Sequence, residues 1–392
     1  MNGVAGMTIV GIDGRALLGE PTGVGRYLSN IIREMLELDA SIRFRIYLDR
    51  DGDDGLGQHM RLERRRLKGS SGKNVLVWTQ WELPRLIRPE RVSLIHFPFY
   101  TMPLFVDCPS VVTVHDITFT LHPEWFPWRA RVSFAALAPW SSRAATRVLT
   151  VSECSKRDLV RKYALSPSKV TVTPLAADPR FRPATPREVG QVGGRLGLTS
   201  PYLIHLGSIH PRRNIDNLLD AFTEIAREMP DLSLVLVGRV ESPCESVTPL
   251  ITSRALEGRV IHLGYAAEED LPALLSGAEA MVYPSLYEGF GLPVLEAMAC
   301  GTPVITSNVS ALPETAGEAA LLVDPRSREA IAGAMRAVLT EAPLHRRLAE
   351  AGLRRAAEFS WRRTAEATLG AYRAAIARAG TGAARAGSGA VR

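Results

Sequence analysis

Two carboxylates in this chain, Glu288 and Glu296, are spaced to meet one ligand from two directions. They lie in Tyr283-Pro284-Ser285-Leu286-Tyr287-Glu288-Gly289-Phe290-Gly291-Leu292-Pro293-Val294-Leu295-Glu296, with seven residues between them. The apolar run Ala280-Met281-Val282-Tyr283 before it reads as a buried strand. Pro293, with Leu295 and Met298, reads as the start of a helix, where proline fits the first turn. Gly289 and Gly291 let the connecting backbone take positive φ and come close to a ligand. Amides exposed at a helix N-terminus favour an anion such as phosphate. A lone Glu-Gly-Phe-Gly would be a glycine-rich turn with one charge on a helix dipole; the complete spaced set points to a ligand.

Cations and a histidine complete the chemistry. The strand Tyr202–Gly207 leads into Ser208-Ile209-His210-Pro211-Arg212-Arg213-Asn214 and a helix over 215–228. Two arginines entering a helix are suited to a diphosphate, because guanidinium forks match phosphate oxygens. His115-Asp116 closes the strand Val111–Val114, and strand carboxyl ends form the ligand crevice of doubly wound sheets. His96 holds a similar place after Leu94-Ile95, and a structural histidine is an equal alternative there. The loop Thr22-Gly23-Val24-Gly25, between the strand Met7–Asp13 and an amphipathic run from Leu28, is neither G-x-G-x-x-G nor a Walker A motif. Asp51-Gly52-Asp53-Asp54 has an Asp-x-Asp pattern but sits in a polar, glycine-interrupted loop, so no metal site is expected.

The elements that must position these groups alternate strand and helix in two series, which predicts an α/β protein of two doubly wound Rossmann-like domains. Residues 1–175 form the first, 176–200 a Pro-, Ala-, Gly- and Arg-rich linker, and 201–360 the second, in which the strands Leu232–Gly238 and Val260–Tyr265 precede the glutamate stretch. A helix follows over about 362–378, and residues 380–392 read as a disordered tail. Val75–Leu83 is expected to begin as a short strand and run on as a helix.

Composition narrows the classes. Residues 1–175 carry 24 Lys and Arg against 17 Asp and Glu, and the chain as a whole is +6. A basic half suits nucleic acid, an anionic membrane or phosphate-bearing substrates, but no zinc finger or basic-aromatic RNA motif supports a nucleic-acid partner. Arg61, Arg64, Arg65, Arg66 and Lys68 make either a membrane-docking face or a solvated charged one. Cys108, Cys154, Cys244 and Cys300 are too scattered for a zinc site, and reduced cytoplasmic thiols are expected. No 18-residue apolar run and no signal-peptide n-region occur.

The glutamate stretch, continued by Ala299-Cys300-Gly301-Thr302-Pro303-Val304-Ile305, resembles the signature of retaining glycosyltransferases of the GT-B fold, family four, which include bacterial polysaccharide mannosyltransferases. The resemblance extends over nearly the whole chain and implies two domains facing across a cleft. It implies that Glu288 and the amides of Gly289, Phe290, Gly291 and Leu292 hold the donor sugar, and that Glu296 binds the ribose. Gly23 would face the donor diphosphate, and the loop carrying Tyr265 would lie against the base. Ser208-Ile209-His210-Pro211-Arg212-Arg213-Asn214 resembles the family's Gly-x-x-x-Pro-Arg-Lys-Asn region, departing from it at Ser208, where Arg is frequent, and at Arg213, where Lys is usual. Arg213 would stabilise the leaving diphosphate, and His115 would act in catalysis. The implied activity is transfer of a hexose, preferably mannose from GDP-mannose, to a glycan or lipid-linked acceptor, with no cofactor and no metal. Peripheral contact at the inner face of the membrane would accompany it. A UDP-sugar-dependent transferase, an epimerase on the same architecture and a non-catalytic nucleotide-sugar binder are the alternatives.

Overall fold

The structure is a computed structural model in which residues 7–19, 23–67, 77–198 and 201–388 are described. The chain divides into two compact units. Unit 1 comprises the chain up to Thr120, Arg129–Leu175 and the segment from Trp361; unit 2 comprises Leu121–Trp128 and Ala176–Ser360.

Unit 1 is built on seven strands, β1 (Thr8–Asp13), β2 (Ile42–Leu48), β3 (Leu62–Arg66), β4 (Leu94–Phe97), β5 (Ser110–Thr113), β6 (Arg147–Thr150) and β7 (Val170–Val172), in the order β3-β2-β1-β4-β5-β6-β7. Every pairing is parallel, with Val10 beside Phe44 on one side and Ile12 beside His96 on the other. Val10 and Ile12 of β1 and all of β4 and β5 are buried, as strands covered on both faces require. The order reverses between β1 and β4, so the ligand crevice is expected outside their carboxyl ends.

The helix Gly23–Leu38 turns Tyr27, Leu28, Ile31, Ile32, Met35 and Leu36 into the core at three- and four-residue spacing. It starts earlier than expected, so Gly23 opens a helix instead of lying in a loop, and a side chain added there would meet nothing within 4 Å. Ser152 caps Glu153–Tyr163, its Oγ accepting from the Ser155 amide at 3.0 Å. The C-terminal helix Trp361–Ser388 packs on Gly23–Leu38 and buries Ala365, Leu369, Tyr372 and Ala375. It continues through 380–388, where a disordered tail was expected; 389–392 lie outside the described residues.

The arginine-rich run is strand β3. Arg61 donates to the carbonyls of Asp39, Ile42 and Leu36, Arg64 pairs with Asp54, Arg65 with Glu63 and Glu90, and Arg66 with Asp51. These cations neutralise the unit's own carboxylates and carbonyls; Lys68 lies outside the described residues. The same pairs account for Asp51 and Asp54, while Asp53 accepts from the Gly55 amide at 2.9 Å as a polar turn does. Of Val75–Leu83, residues 75–76 are outside the described set. From Val77 the chain is helical, and Trp78 is buried with Nε1 donating to Asp13 at 3.1 Å.

Unit 2 carries β8 (Tyr202–Leu206), β9 (Ser233–Val237), β10 (Val260–Gly264), β11 (Ala280–Tyr283), β12 (Val304–Ser307) and β13 (Leu321–Val323), in the order β10-β9-β8-β11-β12-β13. All pairs are again parallel, and the reversal falls between β8 and β11. The helix Ile215–Glu228 buries Leu218, Leu219, Phe222 and Ile225 on one stripe, each worth about 1.5–3 kcal/mol of transfer. The segment 176–200 is more than a linker. It contains the helix Pro186–Leu196, closed by a capping box between Thr185 and Glu188 and packed on Leu271–Ser276; residues 199–200 are not described. No described helix is long and apolar enough to cross a membrane.

Candidate active site

In unit 2 the glutamate turn and the arginine turn leave the two strands that flank the reversal, β11 and β8, so the fold delivers both to one edge. Gly238, at the end of β9, makes that edge tight: at φ +146° a Cβ there would lie 2.0 Å from the Gly207 carbonyl oxygen. No other residue type fits. Pro211–Arg213 forms a single short turn, and Asn214 follows it in the left-handed conformation. Asn214 Nδ2 donates to the carbonyls of Pro284 and Pro325, at 3.1 and 2.5 Å, and the Leu286 amide donates to the Arg212 carbonyl at 2.8 Å. Asn214 thus fastens the two turns to each other.

The fastening places Glu288 among cations. Its carboxylate forms a buried ion pair with Arg213, accepts from Arg212 Nη1 at 3.4 Å, and accepts from the Tyr283 hydroxyl at 3.2 Å. The Arg213 guanidinium also stands 4.9 Å from the Tyr283 ring centroid. Burial opposes the charge on Glu288, yet Arg212 and Arg213 hold its carboxyl below the usual range. Burial, with the neighbouring charge of Arg212, pushes Arg213 down to about 10, which leaves it a cation at neutral pH. Arg213 Nε is buried without a hydrogen-bond partner, a donor left over after Glu288 is satisfied. His205 stacks on Tyr283 and bonds the Val282 carbonyl through Nδ1 at 3.0 Å.

Gly291, at φ +99°, precedes the helix Leu292–Ala299, so Leu292 is its first residue and Glu296 its fifth. A Cβ at Gly291 would come 2.7 Å from Leu312. Glu296 is buried, and Gly289 sits in the turn between Glu288 and Phe290. Phe290 belongs to the core: its ring meets Phe359 edge-on at 5.7 Å, and its carbonyl accepts from the Thr315 hydroxyl. Ser208 is half-buried just after β8, and Tyr265 is half-exposed with the Arg239 guanidinium 4.9 Å from its ring.

Three contributors escaped the sequence reading. Tyr283 looked like the last apolar residue of a strand. Ser310, at φ +57°, accepts from the Glu288 amide at 3.0 Å, from twenty-two residues away with no motif to flag it. The segment Leu121–Trp128, embedded in the sequence of unit 1, belongs to unit 2. There His122 stacks on Trp125 at 4.0 Å and stands 6.0 Å from Tyr287, and Phe126 lies 5.5 Å from His210. Its density of aromatic residues was the available signal.

In unit 1, His115 follows β5 and Val114. Its Nε2 is 3.1 Å from the Pro98 carbonyl, so Nε2 carries the proton and Nδ1 the lone pair of the neutral ring. Burial lowers its pKa, opposed by Asp116. Asp116 itself accepts from the Thr118 amide and hydroxyl at 2.8 and 2.7 Å. His96 is fully buried in a network of hydroxyls, so the structural alternative holds for it. No cluster of three or more metal-ligating side chains occurs among the described residues.

Comparison with known proteins finds matches to both halves. The model for glycosyl transferases group 1 matches residues 193–355, and that for glycosyltransferase family 4 matches residues 21–181. The chain is 30% identical to the O-antigen chain mannosyltransferase B of Escherichia coli over 370 residues, covering 90% of this chain and 96% of that protein. It is 37% identical over 286 residues to the MMP alpha-(1->4)-mannosyltransferase of Mycolicibacterium hassiacum, covering 69% of this chain and 66% of that one. Among solved structures, sucrose-phosphate synthase from Thermosynechococcus elongatus superposes with a TM-score of 0.76 at 21% identity, over 95% of this chain and all of that chain.

Proposed function

The chain belongs to the glycosyl transferases of group 1, of GT-B fold, and from that premise we propose a retaining transfer of mannose from GDP-mannose to an acceptor hydroxyl. That it is a glycosyltransferase using a nucleotide sugar follows from the family; the sugar, the base and a glycan or lipid-linked acceptor are our reading. The observation that carries it is the buried Arg213–Glu288 pair, flanked by the half-buried Arg212, at the strand reversal of unit 2. The preference for mannose is supported by the two mannosyltransferase relatives.

In this reading the guanidinium groups of Arg213 and Arg212 supply the donor diphosphate with two cations. When the bond from the anomeric carbon to the β-phosphate oxygen breaks, its electron pair leaves on that oxygen, and the guanidinium groups stabilise the growing charge. The acceptor hydroxyl oxygen bonds to the anomeric carbon on the same face, and its proton passes to the departing phosphate oxygen. Glu288, kept ionised by the arginines, accepts from a sugar hydroxyl and orients the anomeric carbon. Glu296 is assigned the ribose. His115, neutral and with Nδ1 as acceptor, is assigned to a sugar hydroxyl in the transfer step. The phosphates need no metal here because the protein brings its own cations.

The test is a thermal-shift and turnover screen of GDP-mannose against other GDP-sugars and UDP-sugars. GDP-mannose is expected to give the largest shift and to release GDP in the presence of mannosylated acceptors. A larger shift and faster turnover with a UDP-sugar would overturn the donor assignment.

A further inference from the structure

The C-terminal helix places a tyrosine hydroxyl inside unit 1, and that hydroxyl begins a chain of buried polar contacts. Tyr372 Oη is 2.7 Å from His96 Nδ1, His96 Nε2 is 2.7 Å from Thr113 Oγ1, and Thr113 Oγ1 is 3.2 Å from Tyr27 Oη. All four residues are essentially inaccessible to solvent. They come from four elements: the C-terminal helix, β4, β5 and the helix Gly23–Leu38. The last member, Tyr27, presents its ring perpendicular to that of His115, with centroids 5.1 Å apart. Thr113 stands two residues before His115 on the same strand path.

We propose that Tyr372 is a positioning residue for His115, acting through His96, Thr113 and Tyr27. This rests on the reading of His115 given above.

The physical argument runs along the chain. Burial holds His96 neutral, pushing it down to about 3, and keeps the Tyr372 hydroxyl protonated. A neutral imidazole has one N–H and one lone pair, so His96 donates to one hydroxyl and accepts from the other. Removing the Tyr372 hydroxyl leaves one nitrogen of His96 buried and unpaired, and the disturbance reaches Tyr27 through Thr113. The Tyr27 hydroxyl also bonds Thr173 and Thr368, the latter on the same C-terminal helix. The imidazole of His115 is held by the Pro98 carbonyl at Nε2 and by edge-on ring contacts with Tyr27 and Tyr100. The first contact sets the tautomer. The Tyr27 contact, with the Tyr100 ring 6.3 Å away, restrains the rotation of the imidazole, and the part Tyr27 plays depends on how its hydroxyl is anchored by Thr113, Thr173 and Thr368. A C-terminal element with no residue at the site thereby governs where the Nδ1 lone pair points.

The experiment uses the full chain with histidine-selective nitrogen-15 labelling, the His115 signals being assigned by their loss in His115→Gln. Tyr372→Phe and Tyr27→Phe cut the chain at its two ends. Arg373→Ala is the control, because it removes an exposed ion pair between the same helix and Asp39, at 2.8 Å, without touching the chain. Both tyrosine variants are expected to shift or broaden the His115 ring-nitrogen signals, while Arg373→Ala leaves them in place. With GDP-mannose as donor, the tyrosine variants should lose about tenfold in kcat with the donor KM within about twofold, as misplacement of a transition-state contact does. Unmoved His115 signals in Tyr372→Phe overturn the proposal whatever Tyr27→Phe does, since a purely structural chain would lower the melting temperature and leave His115 alone. If His115→Ala retains full turnover, the role of His115 falls, while the nitrogen spectra, which need no donor, still decide the positioning.

Discussion

Glu288 is a buried anion that exists because two arginines meet it, and this makes its substitution informative. Glu288→Gln keeps the volume and removes the charge, leaving Arg213 buried beside a neutral amide. Turnover should fall by a factor of at least about a hundred, on the scale seen when one preorganised polar contact is lost. Retention of more than a tenth of wild-type turnover would remove Glu288 from the transfer step. Arg213→Ala probes the other partner. Affinity for a nucleoside diphosphate should drop by roughly ten- to a hundredfold, the value of one charge-assisted contact, with free nucleoside binding unchanged. Equal losses for both ligands, measured by calorimetry, would show a general structural role. These residue types and their spacing were readable in the sequence because they are local. That Arg213 and Tyr283 converge on the Glu288 carboxylate while Ser310 holds its backbone amide was not, because the contacts close over separations such as the seventy-five residues between Arg213 and Glu288.

At the scale of elements, the chain shows how capping and close packing override composition. The Pro-, Ala- and Gly-rich stretch before unit 2 has the make-up of a linker, yet Thr185 and Glu188 satisfy each other's backbone amides and start a helix. Thr185→Ala should cost about 1 kcal/mol, read as a lowered denaturation midpoint, and leave nucleotide affinity untouched. An unchanged midpoint would return the segment to the status of a linker. Gly238 is the stricter case. A methyl group there collides with the Gly207 backbone, which cannot move without shifting the arginine turn, so Gly238→Ala should lower both the melting temperature and nucleoside diphosphate affinity. A variant with wild-type values for both would mean that the strand ends are not packed as described. Strand β3 and the residue before it make the same point with charge, because the four arginines of residues 61–66 look like a surface patch until their partners are seen. Backbone carbonyls take up Arg61, Asp54 takes up Arg64, Glu63 and Glu90 take up Arg65, and Asp51 takes up Arg66.

For the whole molecule, pH provides a measure of both units at once. His96 in unit 1 is pushed down to about 3 and His205 in unit 2 to about 4, each first of all by burial, from an ordinary value of 6.5. Between those values the unfolded chain binds protons that the folded chain refuses, so stability rises with pH through this window and is fully present only above about 6.5. The slope should reach about 1.4 kcal/mol per pH unit for each histidine. Thermal midpoints should therefore be level from pH 8 to 7 and fall steadily from 6.5 towards 4.5. A level profile down to pH 5 would show that neither imidazole is held neutral. Glu288 acts in the same sense at lower pH: its depressed pKa makes its contribution present above about 4.5 and lost as the pH falls through the folded value.

The sequence by itself determined the alternation of strands and helices, the two-domain α/β class, the glutamate and arginine turns and the strand-end position of His115. These depend on hydrophobic period, turn residues and spacing, all of which act over a few neighbours. Only the tertiary structure decided which polar groups are spent on each other. It gave Asn214 to a pair of proline carbonyls, Phe290 to the core, the arginines of β3 to carboxylates and carbonyls of the same unit, and Leu121–Trp128 to unit 2. It also joined Tyr372 to His96 across 276 residues. The reason is that burial makes most donors and acceptors find a partner, and which partner is within reach depends on how the sheets and helices stack, a property that no local stretch of sequence contains.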